Sequence, residues 1–435
     1  MKQKTKILLG FIPLTISIPV AILIAEPIQW PVEDGGNGHW YERISDPLTW
    51  EEAKFAAEEH GGHLATITSQ EEHDFTLQFD RWDANDIRVV SYNLHGDLDP
   101  GQLSENGFSR VITAIDPDII VFEEVSGSTS DALQFADWLD YHLPANGWEI
   151  HLGLPTGIRT VVASRLPLSM EEIDTTPESS TRGVTMCLVD LPDEDFVHDV
   201  YILGVHLKCC GGASNDIKRQ KSADAIATWM GDARFFGRHI DLPFGTPMIL
   251  TGDMNLVGEP QPELTLITGD VIEESYYCPD VKGDWDNSDL LDVEPVDPNT
   301  GDNFTWQGSY TSRLDRFMVT ESVMAIGNNY VFNTETMTSK ELQVLGVLAS
   351  DTSQSVTSDH LPIVMDFQPT QQINSCQGDI DGDGTIGVSD ILSVIGDWAP
   401  TGGDCCPGCL GDVDGNLVVD VSDILFIVGN WGACQ

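Results

Sequence analysis

The chain has 435 residues, 41% of them apolar, with 70 acidic against 21 basic side chains and a formal net charge of −49. That length exceeds what one hydrophobic core serves, so two or three folding units are expected, and the apolar share excludes wholesale disorder. The acidic excess suits a saline exterior and counts against tight, non-specific binding of duplex DNA, which rests on a basic footprint.

Lys2, Lys4 and Lys6 precede an apolar run over 7–25 that Pro13 and Pro19 interrupt. The pattern predicts an export signal cleaved after Ala25, with an uncleaved membrane anchor over 1–25 as the alternative. Either leaves the remainder secreted or extracytoplasmic, possession of a later membrane span being excluded by hydropathy. Nine cysteines fit an oxidising compartment and disulfide clasps, and their odd number leaves one thiol outside any internal pair. Adjacent cysteines rarely bond to each other, so Cys187 or Cys278 is the expected partner for Cys209 and Cys210. For Cys405, Cys406 and Cys409 zinc is the rival reading, but no histidine lies nearby and disulfides are preferred.

Next come an amphipathic helix over 50–60, a short strand over 64–68 and a helix opened by the capping-box pattern Ser69-Gln-Glu-Glu72. The string from Thr49 to Ser69, with its Trp50-Glu-Glu-Ala53 and Gly61-Gly-His-Leu-Ala-Thr-Ile-Thr68, resembles the opening of a C-type lectin-like domain. The resemblance stops near Phe79. The later strands, which in that family hold calcium and contact sugar, have no counterpart. A truncated lectin-like segment over 30–82 is therefore expected, without sugar binding.

From 86 to 368 apolar strands alternate with helix-period segments. Strands are predicted over 87–92, 119–122, 161–163, 201–205, 248–250, 316–319 and 363–367, and helices over 107–115, 131–143 and 217–230. Strands alternating with helices imply an α/β sandwich, with polar residues at the strand ends where such folds build sites. Five of those ends stand out: Ser91-Tyr-Asn-Leu94, Val121-Phe-Glu-Glu-Val125, Gly204-Val-His-Leu207, Thr251-Gly-Asp-Met-Asn255 and Ser358-Asp-His-Leu361. They supply hard oxygen ligands and two imidazoles, the inventory for magnesium-assisted attack on a phosphate ester.

With Thr305-Trp306 and Ser312-Arg-Leu-Asp-Arg316, these stretches resemble the endonuclease/exonuclease/phosphatase superfamily, in the expected order across nearly all of the central region. The resemblance implies a four-layered sandwich of two packed β-sheets flanked by helices, and Mg²⁺ (or Mn²⁺) at the catalytic site. It assigns Glu124 as principal metal ligand, with Asn93 and Asp359 in the metal shell. Asp253 aligns the attacking water, and Asn255 projects to the same face from two residues along the strand. His206 and His360 contact phosphate and move protons, Asp315 orients His360, and Arg182 is a further phosphate contact. Glu123, which replaces the family's usual glutamine, is expected to face solvent, a second metal ligand being the alternative. Lys208, Lys218, Arg219 and Lys221 form either a positive rim that guides phosphate or a plain helix surface. Trp285 and Trp306 are read as packed, with stacking platforms for bases as the alternative, and His95, His142, His151 and His239 as ordinary surface or core residues.

After a linker over 369–375, the tail over 376–435 repeats itself: Gly378-Asp-Ile-Asp-Gly-Asp-Gly recurs as Gly411-Asp-Val-Asp-Gly-Asn-Leu. Asp379, Asp381, Asp383, the Thr385 carbonyl and Asp390 fall on calcium-loop positions, as do Asp412, Asp414, Asn416, the Val418 carbonyl and Asp423. Each loop is followed by one apolar helix, over 391–398 and 424–431. The duplicated unit resembles a dockerin, a small all-α module, which implies Ca²⁺ and a cohesin-like or cell-surface partner.

The reading as a whole is an exported phosphoesterase that hydrolyses phosphodiesters, most simply a nuclease. A phospholipid or inositol-phosphate phosphodiesterase is the first alternative. A non-catalytic, surface-displayed binding protein is the second.

Overall fold

The computed structural model describes residues 28–29, 38–41, 54, 57, 62–63, 86–95, 105–126, 131–144, 147–155, 158–174, 182–193, 195–234, 240, 242–277, 279–308, 312–370, 378, 380, 385–398, 411, 413 and 419–433. The export signal, the 64–68 strand, the helix from Ser69, Cys278, His239, most of the linker and the calcium-loop residues Asp379, Asp381, Asp383, Asp412, Asp414, Asn416 and Val418 lie outside the described residues. The chain forms two compact units, residues 1–86 with 337–346 and residues 87–336 with 347–435. In the first, β1 (Ile28–Gln29) pairs antiparallel with β2 (Trp40–Tyr41).

The second unit contains two six-stranded sheets. One uses β3 (Ile87–Asn93), β4 (Ile119–Ser126), β5 (Glu149–Leu152), β6 (Ile158–Ser164), β13 (Met324–Val331) and β14 (Ile363–Pro369), in the order β13-β14-β3-β4-β6-β5. The other uses β7 (Leu168–Asp174), β8 (Val184–Val189), β9 (Val200–His206), β10 (Met248–Asp253), β11 (Leu291–Val293) and β12 (Asp315–Val319), in the order β11-β12-β10-β9-β8-β7.

Strand alternation builds the layers. Ile87, Val89, Ile119, Val121, Ile202, Ile249, Phe317, Val319, Ile363 and Met365 meet in one core cluster between the sheets. Their neighbours point the other way. Tyr92 stacks on Phe108 of α1 (Glu105–Ile115), and Phe122 packs tilted against Phe108 and edge-on against Phe135 of α2 (Ala132–His142). Tyr201, Leu203, Val205, Met248 and Leu250 pack against Ile226, Trp229 and Met230 of α3 (Ala213–Ala233). This is the expected four-layered α/β sandwich.

Cys187 sits in the inter-sheet core as a free thiol, and Cys209 and Cys210 are also free. The expected bond from Cys187 to either is therefore corrected, since a side chain sealed between sheets does not reach a surface loop. Arg88 bridges Asp366 with two hydrogen bonds of 2.7 and 2.8 Å, both side chains buried, and also donates to Ile115 O. Removing one partner strands the other charge in the interior. Asp366→Ala is expected to destabilise the fold by about 3–5 kcal/mol, read from the midpoint of urea unfolding. A shift within error of wild type would contradict this.

In the tail, α4 (Val388–Asp397) and α5 (Val421–Gly429) enclose a small core of Ile386, Val394, Val413, Val419 and Ile427. The two repeats make the same contacts. Asp390 accepts from the Ile380 and Gly387 amides, and Asp423 from those of Val413 and Asp420.

Candidate active site

The inter-sheet layer changes character toward one edge. Apolar Val89, Val121, Ile202 and Ile249 give way along the same strand faces to Ser91, Gly204 and Thr251, then to Asn93, Glu123, His206 and Asp253. Register brings these ends level. Asp253 pairs with His206 on one side and with Asp315 on the other, while Asn93 pairs with Glu123. The hydrogen bond from Asn93 Nδ2 to Asp253 Oδ2 (3.0 Å) joins the two sheets. Residues more than 150 positions apart thus share one buried edge.

Two departures from regular strand complete the set. Strand β4 shifts register between Phe122 and Val125, and Glu124 takes a left-handed φ of +56°. This bulge turns Glu124 off the helix-facing side and beside His206, whose Nε2 is 3.6 Å from its carboxylate. Strand β10 ends at Asp253, and Asn255 is brought in by a turn with φ +48°, its amide donating to Asp253 Oδ1 (3.1 Å). Strand alternation is therefore not what places Asn255. Gly252, at φ +139°, has the Val205 carbonyl only 2.0 Å from where a Cβ would stand, so no side chain fits there.

Glu124, His206 and Asp253 offer ligand atoms all within 4.8 Å of one another. His206 Nε2 is 3.4 Å from Asp253 Oδ2, and His360 Nε2 is 3.9 Å from the same oxygen. His360 Nδ1 lies 2.8 Å from Asp315 Oδ2, forming the expected pair. Arg182 donates to the Leu207 carbonyl (2.8 Å), next to His206. Asp359 stands apart from the tight cluster. It accepts from Trp306 Nε1 (3.1 Å), and its other oxygen lies 2.9 Å from His95 Nδ1.

Burial and charge set the protonation states. Burial lifts the Asp253 carboxyl to about 7, with Asp315 and Glu124 adding to the rise against the opposing His360. Burial, then Asp315 and Asp253, pushes Glu123 well up. Burial, Arg182 and His360 hold His206 well below the ordinary imidazole range, so it is neutral at pH 7. For His360 burial acts downward, but the charge and hydrogen bond of Asp315, with Asp253 and Asp359, raise it to about 10.

The residues fit a divalent cation. Hard oxygens and a neutral imidazole converge there, and His206 Nδ1 and Nε2, Glu123 Oε2 and Asp315 Oδ1 are buried without hydrogen-bond partners.

Four expectations change. Glu123 does not face solvent: it is fully buried, with Ser91 Oγ donating to its Oε1 (3.0 Å). Arg219 is no part of a cationic rim, being fully buried and donating to the carbonyls of Lys208, Cys210 and Val257. Lys208 and Arg182 remain half-buried beside His206. His95 is not an ordinary surface residue, since its amide donates to Asn93 Oδ1 (2.9 Å) and its ring pairs with Asp359. Its position two residues after Asn93 was the available signal. Trp285 is packed as expected, whereas Trp306 is half-exposed at the site.

The model of the endonuclease/exonuclease/phosphatase family matches residues 90–360, which take in every one of these side chains. The chain belongs to that family. Membership makes it a hydrolase acting on phosphate esters, in a family generally dependent on a divalent metal, and the Glu124, His206 and Asp253 cluster is the candidate site for one. Similar solved structures include an endonuclease/exonuclease/phosphatase from Beutenbergia cavernae DSM 12333, 20% identical, covering 69% of this phosphoesterase and 77% of that chain, with a TM-score of 0.44. Another is D. rerio TDP2 complexed with single strand DNA product, 15% identical, covering 66% and 100%, at 0.42. A third is a mannosyl-6-phosphatase from Bacteroides thetaiotaomicron VPI-5482, 17% identical, covering 65% and 99%, at 0.42. No curated protein matches the phosphoesterase.

Proposed function

We propose that this phosphoesterase is an exported nuclease that hydrolyses phosphodiesters with Mg²⁺ or Mn²⁺. The observation that carries the reading is the meeting of Glu124, His206 and Asp253 within 4.8 Å beside the Asp315–His360 pair. A bound divalent cation supplies charge stabilisation to the phosphoryl oxygens. Glu124 would hold it as principal ligand, with Asn93 beside it and Asp359 in the ion's outer shell. Asp253, kept in place by Asn93 and by the Asn255 amide, orients the attacking water and takes its proton. His360, protonated and fixed by Asp315, faces the developing charge, and neutral His206 donates a hydrogen bond to phosphate. Arg182 and Lys208 draw phosphate in against the acidic exterior.

Nucleic acid is the favoured substrate because Trp306, half-exposed beside Asp359 and His360, offers a stacking face for a base. The charge of −49 opposes long duplex tracts, so exposed or single-stranded segments suit the site better.

The flanking parts fit an exported protein. The basic–apolar start reads as an export signal, and the 30–82 segment as a lectin-like remnant without sugar binding. The tail reads as a dockerin-like Ca²⁺ module with a cohesin-like or cell-surface partner, supported by the equivalent placement of Asp390 and Asp423, the closing acids of the two loops.

A substrate panel tests the reading: single-stranded and duplex DNA, RNA, a phospholipid and an inositol phosphate, each with Mg²⁺, Mn²⁺ or chelator. Metal-dependent cleavage of nucleic acid is expected. Cleavage confined to lipid or inositol phosphate would overturn the substrate assignment, and inertness toward all would favour a binding protein.

A further inference from the structure

The loop that leaves β9 carries Cys209 and Cys210, which the reaction above does not use. Their Sγ atoms are 2.8 Å apart, with Cys210 donating to Cys209, and Lys208 Nζ lies 3.5 Å from Cys209 Sγ. Cys210 is exposed and Cys209 half-buried, so both meet solvent. Cys210 holds a left-handed φ of +72°. The next two residues, Gly211 and Gly212, have nothing within 4 Å of where a Cβ would stand, so the outer loop is uncrowded. Beneath it, the buried Arg219 donates to the carbonyls of Lys208 (2.6 Å) and Cys210 (3.0 Å), fixing the backbone on both sides of Cys209. Cys187 is sealed in the core and does not compete.

We propose that Cys209 and Cys210 form a reversible dithiol redox site, which closes to a vicinal disulfide by exchange with a small-molecule disulfide and thereby alters the neighbouring catalytic edge. The Cys209 thiolate attacks one sulfur of the small disulfide, forming a mixed disulfide and releasing one thiolate. Cys210 then attacks the Cys209 sulfur and expels the second. Two electrons and two protons pass to the small disulfide, which leaves as two thiols. The order follows from the geometry, because Cys209 is the acceptor of both the Cys210 hydrogen bond and the Lys208 contact. Burial acts to raise the Cys209 thiol, but those two contacts bring it below the ordinary value, which favours it as the first nucleophile. Ring closure links adjacent residues through their side chains, so the left-handed backbone at Cys210 and the two carbonyls on Arg219 must readjust. Lys208 and His206 lie on the same segment and move with them.

The test uses the full chain, reduced and then incubated with oxidised glutathione, followed by alkylation and peptide mass mapping. The peptide holding both cysteines is expected to lose two hydrogens, resist alkylation and recover after dithiothreitol, whereas Cys210→Ser retains one glutathione on Cys209. Phenylarsine oxide, which bridges paired thiols, should shield both in wild type and neither Cys209→Ser nor Cys210→Ser. Two thiols still open to alkylation after the oxidant, or bonds to Cys278 or to tail cysteines instead, would overturn the site. Coupling to the catalytic edge rests on the phosphoesterase reading. A several-fold, reductant-reversible fall in hydrolysis is expected on ring closure, and an unchanged rate with the ring closed would overturn the coupling. The mapping does not depend on activity, so the two failures are distinguishable.

Discussion

Asp253→Asn is expected to lower kcat/KM for a phosphodiester by about 10²–10⁴-fold, the range for removing a positioned proton acceptor, while leaving the protein no less stable. The carboxylate is buried, touches His206 and Asn93, and takes the Asn255 amide. An amide keeps the shape but has a single acceptor oxygen, so it keeps either the Asn93 Nδ2 bond or the Asn255 backbone N–H bond, and it cannot take a proton from water. The one bond lost costs less than the burial of the ionised carboxylate that the amide removes at pH 8. The stability side has a definite sign. With its folded value raised to about 7, Asp253 contributes stability that is present at low pH and lost as pH rises through 7. The amide has no such penalty. In matched urea titrations at pH 8 without added divalent cation, the variant should unfold at a midpoint equal to or above wild type. A variant that retained activity, or that unfolded early, would argue against a proton acceptor held at a stability cost.

The second large effect concerns the Asp315–His360 pair. His360→Ala should cost about 10²–10⁴-fold in kcat, as expected for loss of a proton-donating group at a developing charge. Asp315→Asn is more diagnostic. His360 is raised to about 10 chiefly by Asp315 working against burial, so wild type should lose activity on its alkaline side only as pH approaches that value. Without the carboxylate the alkaline limb should fall toward or below the ordinary imidazole value of about 6.5. The stability linkage runs the same way: the contribution of the protonated His360 is complete below about 6.5 and disappears as pH rises through about 10. A pH–rate profile unchanged in Asp315→Asn would remove the dyad from the mechanism.

Much of this was legible in the chain because the site lies on inward-facing strand positions. Asn93, His206 and Asp253 close apolar runs whose alternation can be counted, and Asp315 precedes another. Four of the strands outside the predicted set have one property in common, while β8, also outside it, is a buried inner strand. β5, β7, β11 and β13 are the four edges of the two sheets. Edge strands are covered on fewer sides and carry polar residues such as Glu171, Glu172, Asn328 and Asn329, so the apolar run that marks a central strand is missing. The placement of Glu124 depends on a bulge, and that of Asn255 on a left-handed turn, neither of which a period-2 pattern encodes. Glu123 was misread because a carboxylate suggests solvent, whereas alternation from Ile119 and Val121 puts it between the sheets. Arg219 was misread for the same reason. Its two terminal nitrogens are spent on three loop carbonyls and Asp216 rather than offered to a ligand.

The most direct measurement is the rate of hydrolysis of a simple phosphodiester against free Mg²⁺, for wild type and Glu124→Gln side by side. Wild type should be silent in chelator and saturate with added cation, and Glu124→Gln should need about tenfold more cation or beyond, as weakening a metal's support does. Cleavage that persists in chelator, or identical cation dependence in the two proteins, would contradict a single ion-holding pocket in which Glu124, beside His206 and Asp253, is the principal ligand.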